Sequence, residues 1–87
     1  MYKKFGQNLV KYRKLNGLSQ KYTAKILGIS VQGLWKIEKG ATSPSGETLA
    51  KIVDVLGITP NQLFGIESIT EENSNILRKI KPFQSKE

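Results

Sequence analysis

The chain has 87 residues, enough for one compact domain whose core is only marginally stabilised by burial. It contains no cysteine and no histidine, which removes disulfides, thiolate and imidazole metal ligands and the usual general base, and implies a protein without cofactor or metal. Its net charge of +7 sits in the first half: residues 1–40 carry nine Lys/Arg against the single acid Glu38, residues 41–66 sum to −1, and residues 67–87 are balanced.

Taken in chain order, Phe5, Leu9 and Tyr12 recur at i, i+4 and i+7 and predict a first helix over about 3–15. Gly17 follows as a stop, and Ser19 opens a second helix over 19–27 that turns Ala24 and Leu27 to the core. After Gly28, Ser30 opens a third helix over 30–38 with Leu34 and Ile37 inward. Gly40 ends it, and Ser45 before Gly46-Glu47 starts a fourth over 46–56 with the stripe Leu49, Ile52, Val53 and Leu56. Past Gly57, Thr59-Pro60 begins a short fifth helix over 60–64 carrying Leu63 and Phe64. Beyond Gly65 the pattern weakens. Thr70 with Glu71-Glu72 suits a helix N-terminus, and Ile76, Leu77 and Ile80 share one face of a C-terminal helix over 70–81, stopped by Pro82 before a frayed tail.

No stretch alternates with period two for long enough to form a strand. The expected fold is all-α: a compact bundle of four to five short helices over residues 5–65, with an extension over 66–87. No apolar run approaches the roughly 20 residues that cross a bilayer. The opening MYKKFGQNLVKYRK lacks the apolar core of a secretory signal, so a cytoplasmic protein is expected. Serines 19, 30, 43 and 45 are nucleophile types, but without His or Cys no familiar triad can be assembled. Glu71 and Glu72 point about 100° apart on a helix. An enzyme is therefore not expected.

The positive first half suits a surface that meets a polyanion, although charge alone is equally compatible with solvated helices. The second and third helices are joined by only three or four residues around Gly28-Ile29, which forces a steep crossing. Such a crossing sets one helix over a DNA backbone while the next enters the major groove by its N-terminal end.

At this point the sequence resembles the helix-turn-helix repressors of the phage Cro and lambda-repressor type, the Xre family. The resemblance is carried by FGQNLVKYRKLNGLSQ, by Ala24 and the Leu27-Gly28-Ile29-Ser30 turn, and by LWKIEKG, SPSGETLAKI and LGITPNQLF. It covers residues 5–65, with the motif at 20–39, and implies a lambda-repressor-like fold and sequence-specific binding of double-stranded DNA. By resemblance, Gln20 contacts a phosphate at the start of the second helix, and Ser30, Val31, Gln32 and Gly33 present the first turn of the third helix to base edges. Gln32 can pair bidentately with adenine, Val31 can touch only apolar surface such as a thymine methyl, and Lys36 can reach a guanine edge or a phosphate. Lys39 and the loop at Thr42-Ser43 fall where the family grips the backbone. The family also pairs the acid matching Glu38 with an arginine on the first helix, which implies an Arg13–Glu38 ion pair that orients the third helix.

Several positions depart from the family pattern. Trp35 stands where a small polar residue is frequent, and either packs partly buried on a neighbouring helix or lies against sugar-phosphate or a base methyl. Thr23 and Tyr12 replace usual leucines, with Tyr22 or Tyr12 available to fill the gap. Val10 and Ile26 are apolar where polar residues are normal, which marks a second contact surface. Gly46 should loosen the start of the fourth helix. The expected partners are DNA, bound through half-sites about 34 Å apart, and a second copy of the chain in a homodimeric repressor. The alternative is an antitoxin that also binds a toxin, for which the helix over 69–80 is a candidate surface; a dimerisation arm or a cover for the core is the preferred reading of that helix. RNA binding is weaker, since no strand-borne aromatic platform is present.

Overall fold

The computed structural model describes residues 2–70. The C-terminal helix expected from Thr70, and the tail after Pro82, therefore lie outside the described residues except for Thr70 itself. Five helices follow in chain order: α1 (Tyr2–Leu15), α2 (Gln20–Leu27), α3 (Val31–Glu38), α4 (Gly46–Leu56) and α5 (Pro60–Leu63). Among the described residues there is no strand, and no helix is long and apolar enough to cross a membrane.

The helix starts are set by side-chain caps. Ser19, Ser30, Ser45 and Thr59 are extended, and the side-chain oxygen of each accepts the backbone N–H three residues on, from Tyr22, Gly33, Thr48 and Gln62 respectively. Each bond satisfies one donor that the helix cannot satisfy itself, which contributes about 0.5–2 kcal/mol. The caps lie outside the helices they start, so α2 and α3 begin one residue later than the sequence pattern predicts. Thr59 and Gln62 complete a reciprocal box, with the Thr59 N–H donating to Gln62 Oε1 at 2.9 Å.

The apolar stripes converge on one core of Phe5, Leu9, Tyr12, Ala24, Leu27, Leu34, Ile37, Ile52, Leu56 and Leu63. Ile58 and Ile69, from segments between and after helices, join it. Leu49 and Val53 pack against this core but are only half-buried. Phe64 does not belong to α5; it caps the helix and lies largely exposed, with its ring centroid 5.6 Å from that of Phe5.

Tyr12 is the residue that fills the core, and Tyr22 stays on the surface. The Tyr12 hydroxyl donates to Leu56 O at 2.7 Å, tying α1 to the last turn of α4. Burial raises its pKa above the ordinary phenol value. Thr23 is fully buried, and its Oγ1 has no hydrogen-bond partner. Val10 and Ile26 are half-buried, and Ile26 packs against the core.

The approach of α1 to α3 is made possible by a glycine. A β-carbon on Gly6 would run into the Glu38 carbonyl and sit 2.5 Å from Ile37 O, so backbone meets backbone there. On the other side, Asn8 Nδ2 donates to Leu63 O at 2.9 Å and ties α1 to the end of α5. Between them these contacts make α1 the spine against which α3 is held.

Candidate nucleic-acid interface

The turn between α2 and α3 is built on Gly28, whose φ of 73° places it in the left-handed region. Its N–H donates to Lys25 O at 3.1 Å, and the Ile29 N–H donates to Ala24 O at 3.0 Å. This paired closure stops α2 abruptly and returns the chain within two residues to the Ser30 cap. A side chain at 28 would be strained by that backbone.

The turn leaves α3 with two distinct faces. Leu34, Ile37 and Glu38 are buried, whereas Val31, Gln32, Trp35, Lys36 and Lys39 are exposed along the opposite side. Ser30 is exposed at the helix start, and its Oγ accepts the Gly33 N–H at 2.9 Å, so these two residues hold each other in the first turn. Lys39 Nζ lies 4.2 Å from the centroid of the Trp35 ring, a cation–π contact along the exposed face. Thr42 and Ser43 are exposed in the loop that follows.

Beneath this face, Arg13 and Glu38 meet with side chains 10% and 4% exposed. Arg13 Nε donates to Glu38 Oε2 at 2.7 Å, and Nη2 donates to Oε1 at 3.2 Å, the bidentate geometry that suits a carboxylate. Arg13 Nη1 donates to Leu18 O at 2.8 Å. Gln20 Nε2 adds a third donor to the carboxylate, 2.8 Å from Oε1. The ion pair thus joins α1 to the end of α3, its arginine holding the residue before the α2 cap and its carboxylate the first residue of α2.

The helix-turn-helix family model matches residues 9–63, more than half of the chain. The chain belongs to this family of Cro-like transcriptional regulators. It is 41% identical over 59 residues to the HTH-type transcriptional regulator YazB of Bacillus subtilis, an alignment covering 68% of this chain and 86% of that protein. The SPbeta prophage-derived HTH-type regulator YonR of the same organism is also 41% identical over 59 residues, and there the alignment spans 55% of the relative's length. The cryptic phage CTXphi transcriptional repressor RstR of Vibrio cholerae is 33% identical over 81 residues, 93% of this chain and 71% of that repressor.

In this helix-turn-helix regulator, Ser30, Val31, Gln32, Trp35, Lys36 and Lys39 are exposed on α3 and its two caps, and Gly33 is half-buried among them. Thr42 and Ser43 lie in the loop beyond it. Gln20 is half-buried, and one N–H of its amide is directed at Glu38. Two participants were not legible in the sequence, the Leu18 carbonyl and the Gln20 amide, because both depend on where α2 begins relative to α1. Among the described residues no group of His, Cys, Asp or Glu could hold a metal ion.

Proposed function

We propose that this regulator is a repressor that binds a palindromic operator in double-stranded DNA as a homodimer, one α3 in each major-groove half-site. The observation carrying the proposal is the division of α3 into a buried face of Leu34, Ile37 and Glu38 and an exposed face of Val31, Gln32, Trp35, Lys36 and Lys39. The relative RstR, a transcriptional repressor to which 93% of this chain aligns, supports repression.

In this assignment Gln32 reads adenine through both ends of its amide, and Lys36 reaches a guanine edge or a phosphate. Ser30 keeps its hydroxyl proton to donate, since its oxygen is occupied by the cap. Gly33 lets the helix approach without a side chain in the way. Lys39, Thr42 and Ser43 grip the backbone. Gln20 spends one N–H on Glu38 and keeps a second for a phosphate at the α2 N-terminus.

The test is selection of bound sequences from random duplex DNA with the full chain, followed by affinity measurements on the selected operator. A palindrome and a 2:1 protein-to-duplex stoichiometry are expected. Gln32→Ala should cost roughly 1–3 kcal/mol and relax one base position, while Lys39→Ala should weaken binding to all sequences alike. If both substitutions act uniformly on every sequence, α3 is not the reading helix.

A further inference from the structure

Helix α1 carries five basic residues and no acid between Tyr2 and Leu15. Arg13 is turned inward to Glu38, whereas Lys4, Lys11 and Lys14 are exposed, with Gln7 between them. At 3.6 residues per turn these four lie within about 80° of one another, and about 140–160° round the axis from the buried Leu9. The row runs for about 15 Å along the helix. Among the described residues none of its lysines is paired with a carboxylate.

This row does not share the outward side of α3. The side of α1 that meets α3 is marked by Gly6, against the Glu38 carbonyl, and by Arg13. The three lysines stand about 80–180° round the helix from those two residues. Lys4 leans instead towards the end of α5, where a β-carbon on Gly65 would come within 2.9 Å of its Cε. A duplex lying along the exposed face of α3 therefore leaves the row uncovered.

The row also costs the helix stability. Lys4 stands in the first turn, against the positive end of the helix dipole, and Lys11 repels Lys14 at i, i+3. No acid on α1 offsets either effect. A partner that supplies closely spaced negative charge reverses both. Protein interfaces are depleted in lysine and built round aromatic or arginine anchors, and this face offers neither. A helix lying on a membrane inserts its apolar side, but that side of α1 is buried in the core. Duplex DNA, with one charge per about 1.7 Å of axis, is the polyanion that fits a straight row of flexible point charges.

We propose that the outer face of α1 is a second DNA-contacting surface, which holds the phosphate backbone of another duplex while α3 faces the first. It reads no sequence, and it lets one regulator draw two DNA segments together. The proposal does not depend on α3 reading an operator, because its test uses duplexes without a common sequence.

The experiment loads the full chain at low salt onto immobilised duplexes of random sequence, washes away unbound protein, and adds a fluorescent second duplex. Retention of the second duplex is expected, and its logarithm should fall with log salt concentration at a slope of about −3, roughly one counterion for each lysine. Lys4→Gln, Lys11→Gln and Lys14→Gln together should reduce retention at least about tenfold and loading on the first duplex less than about threefold, with an unchanged circular dichroism spectrum. Replacement of the same three lysines by Arg should keep retention. Parent protein that retains no second duplex overturns the proposal. Full retention by the Gln variant also overturns it, since two copies would then each hold a duplex through α3. Equal loss of loading and retention does the same, because the row would belong to the first contact. Displacement of the second duplex by poly-glutamate or duplex RNA more readily than by duplex DNA of equal charge assigns the face to another partner and overturns it too.

Discussion

Removal of Glu38 should be the most damaging single change beneath the exposed face of α3. Its carboxylate accepts two bonds from Arg13 and one from Gln20, and both charged side chains are at least nine-tenths buried. Glu38→Leu strands the guanidinium with Leu18 O as its remaining acceptor, and Arg13→Met strands the carboxylate with Gln20. Breaking a buried pair from one side costs about 3–5 kcal/mol, because the surviving charge is left desolvated and uncompensated. A domain of this size has a total stability on the order of 5–10 kcal/mol, so each single variant should be near half-unfolded at modest urea. The double variant removes both charges and refills the space with apolar volume, and it should lose less than either single change. Urea unfolding of the four proteins, followed by far-ultraviolet circular dichroism, gives the coupling energy directly. Single variants within about 1 kcal/mol of the parent, or losses that simply add in the double, would refute a buried, mutually dependent pair.

Three further outcomes follow from the packing. Thr23→Val keeps the shape and deletes a buried hydroxyl that has no partner, so it should stabilise by about 1 kcal/mol and raise Tm by roughly 4–8 °C; a drop in Tm would show that the hydroxyl is satisfied. Gly6→Ala should destabilise by about 1–3 kcal/mol despite gaining up to about 1 kcal/mol of helix propensity, because the new β-carbon meets the backbone of α3 rather than a movable side chain; an unchanged urea midpoint counts against that close approach. Tyr12→Phe should cost about 1 kcal/mol at neutral pH through the lost bond to Leu56 O. The folded-state pKa of Tyr12 is raised, so its contribution is fully present below the unfolded value of about 10 and declines as pH rises above it. The parent should therefore lose stability more steeply than Tyr12→Phe in that alkaline range, and parallel curves would exclude the effect.

Much of the fold was legible because its signals are local. Ser19, Ser30, Ser45 and Thr59 each act within three residues, and a left-handed glycine at 17, 28, 40, 57 and 65 needs only its own backbone. The features that were not legible join residues far apart in sequence. Nothing local distinguishes Gly6 from a glycine that merely weakens a helix; its need appears only when the Glu38 carbonyl arrives beside it. Tyr12 looked like a leucine substitute because its stripe position is apolar, and the sequence does not bring the Leu56 carbonyl to its hydroxyl. Ile58 and Ile69 fill the core from outside any helical stripe, so periodicity could not find them. Gln20 illustrates the same limit at the candidate site: resemblance gives it a phosphate, and only the folded chain brings the carboxylate of Glu38 to its amide and draws one N–H inward.

That inward turn changes what the charge of the first forty residues means. Counted along the sequence, that stretch mixes nine basic residues with one acid. In the folded chain the acid and the arginine satisfy each other beneath α3, both nearly excluded from solvent. What remains outside is lysine alone: Lys3, Lys4, Lys11, Lys14, Lys21, Lys25, Lys36 and Lys39 are all exposed. The pair therefore does two things at once. It locks α3 to α1, and it withdraws the one carboxylate that would repel phosphate from the surface that carries the lysines. Lysine ammoniums act as flexible point charges and carry little base preference by themselves. Under the proposed function, discrimination between sequences then falls to the few oriented groups on α3, whose positions the buried pair fixes.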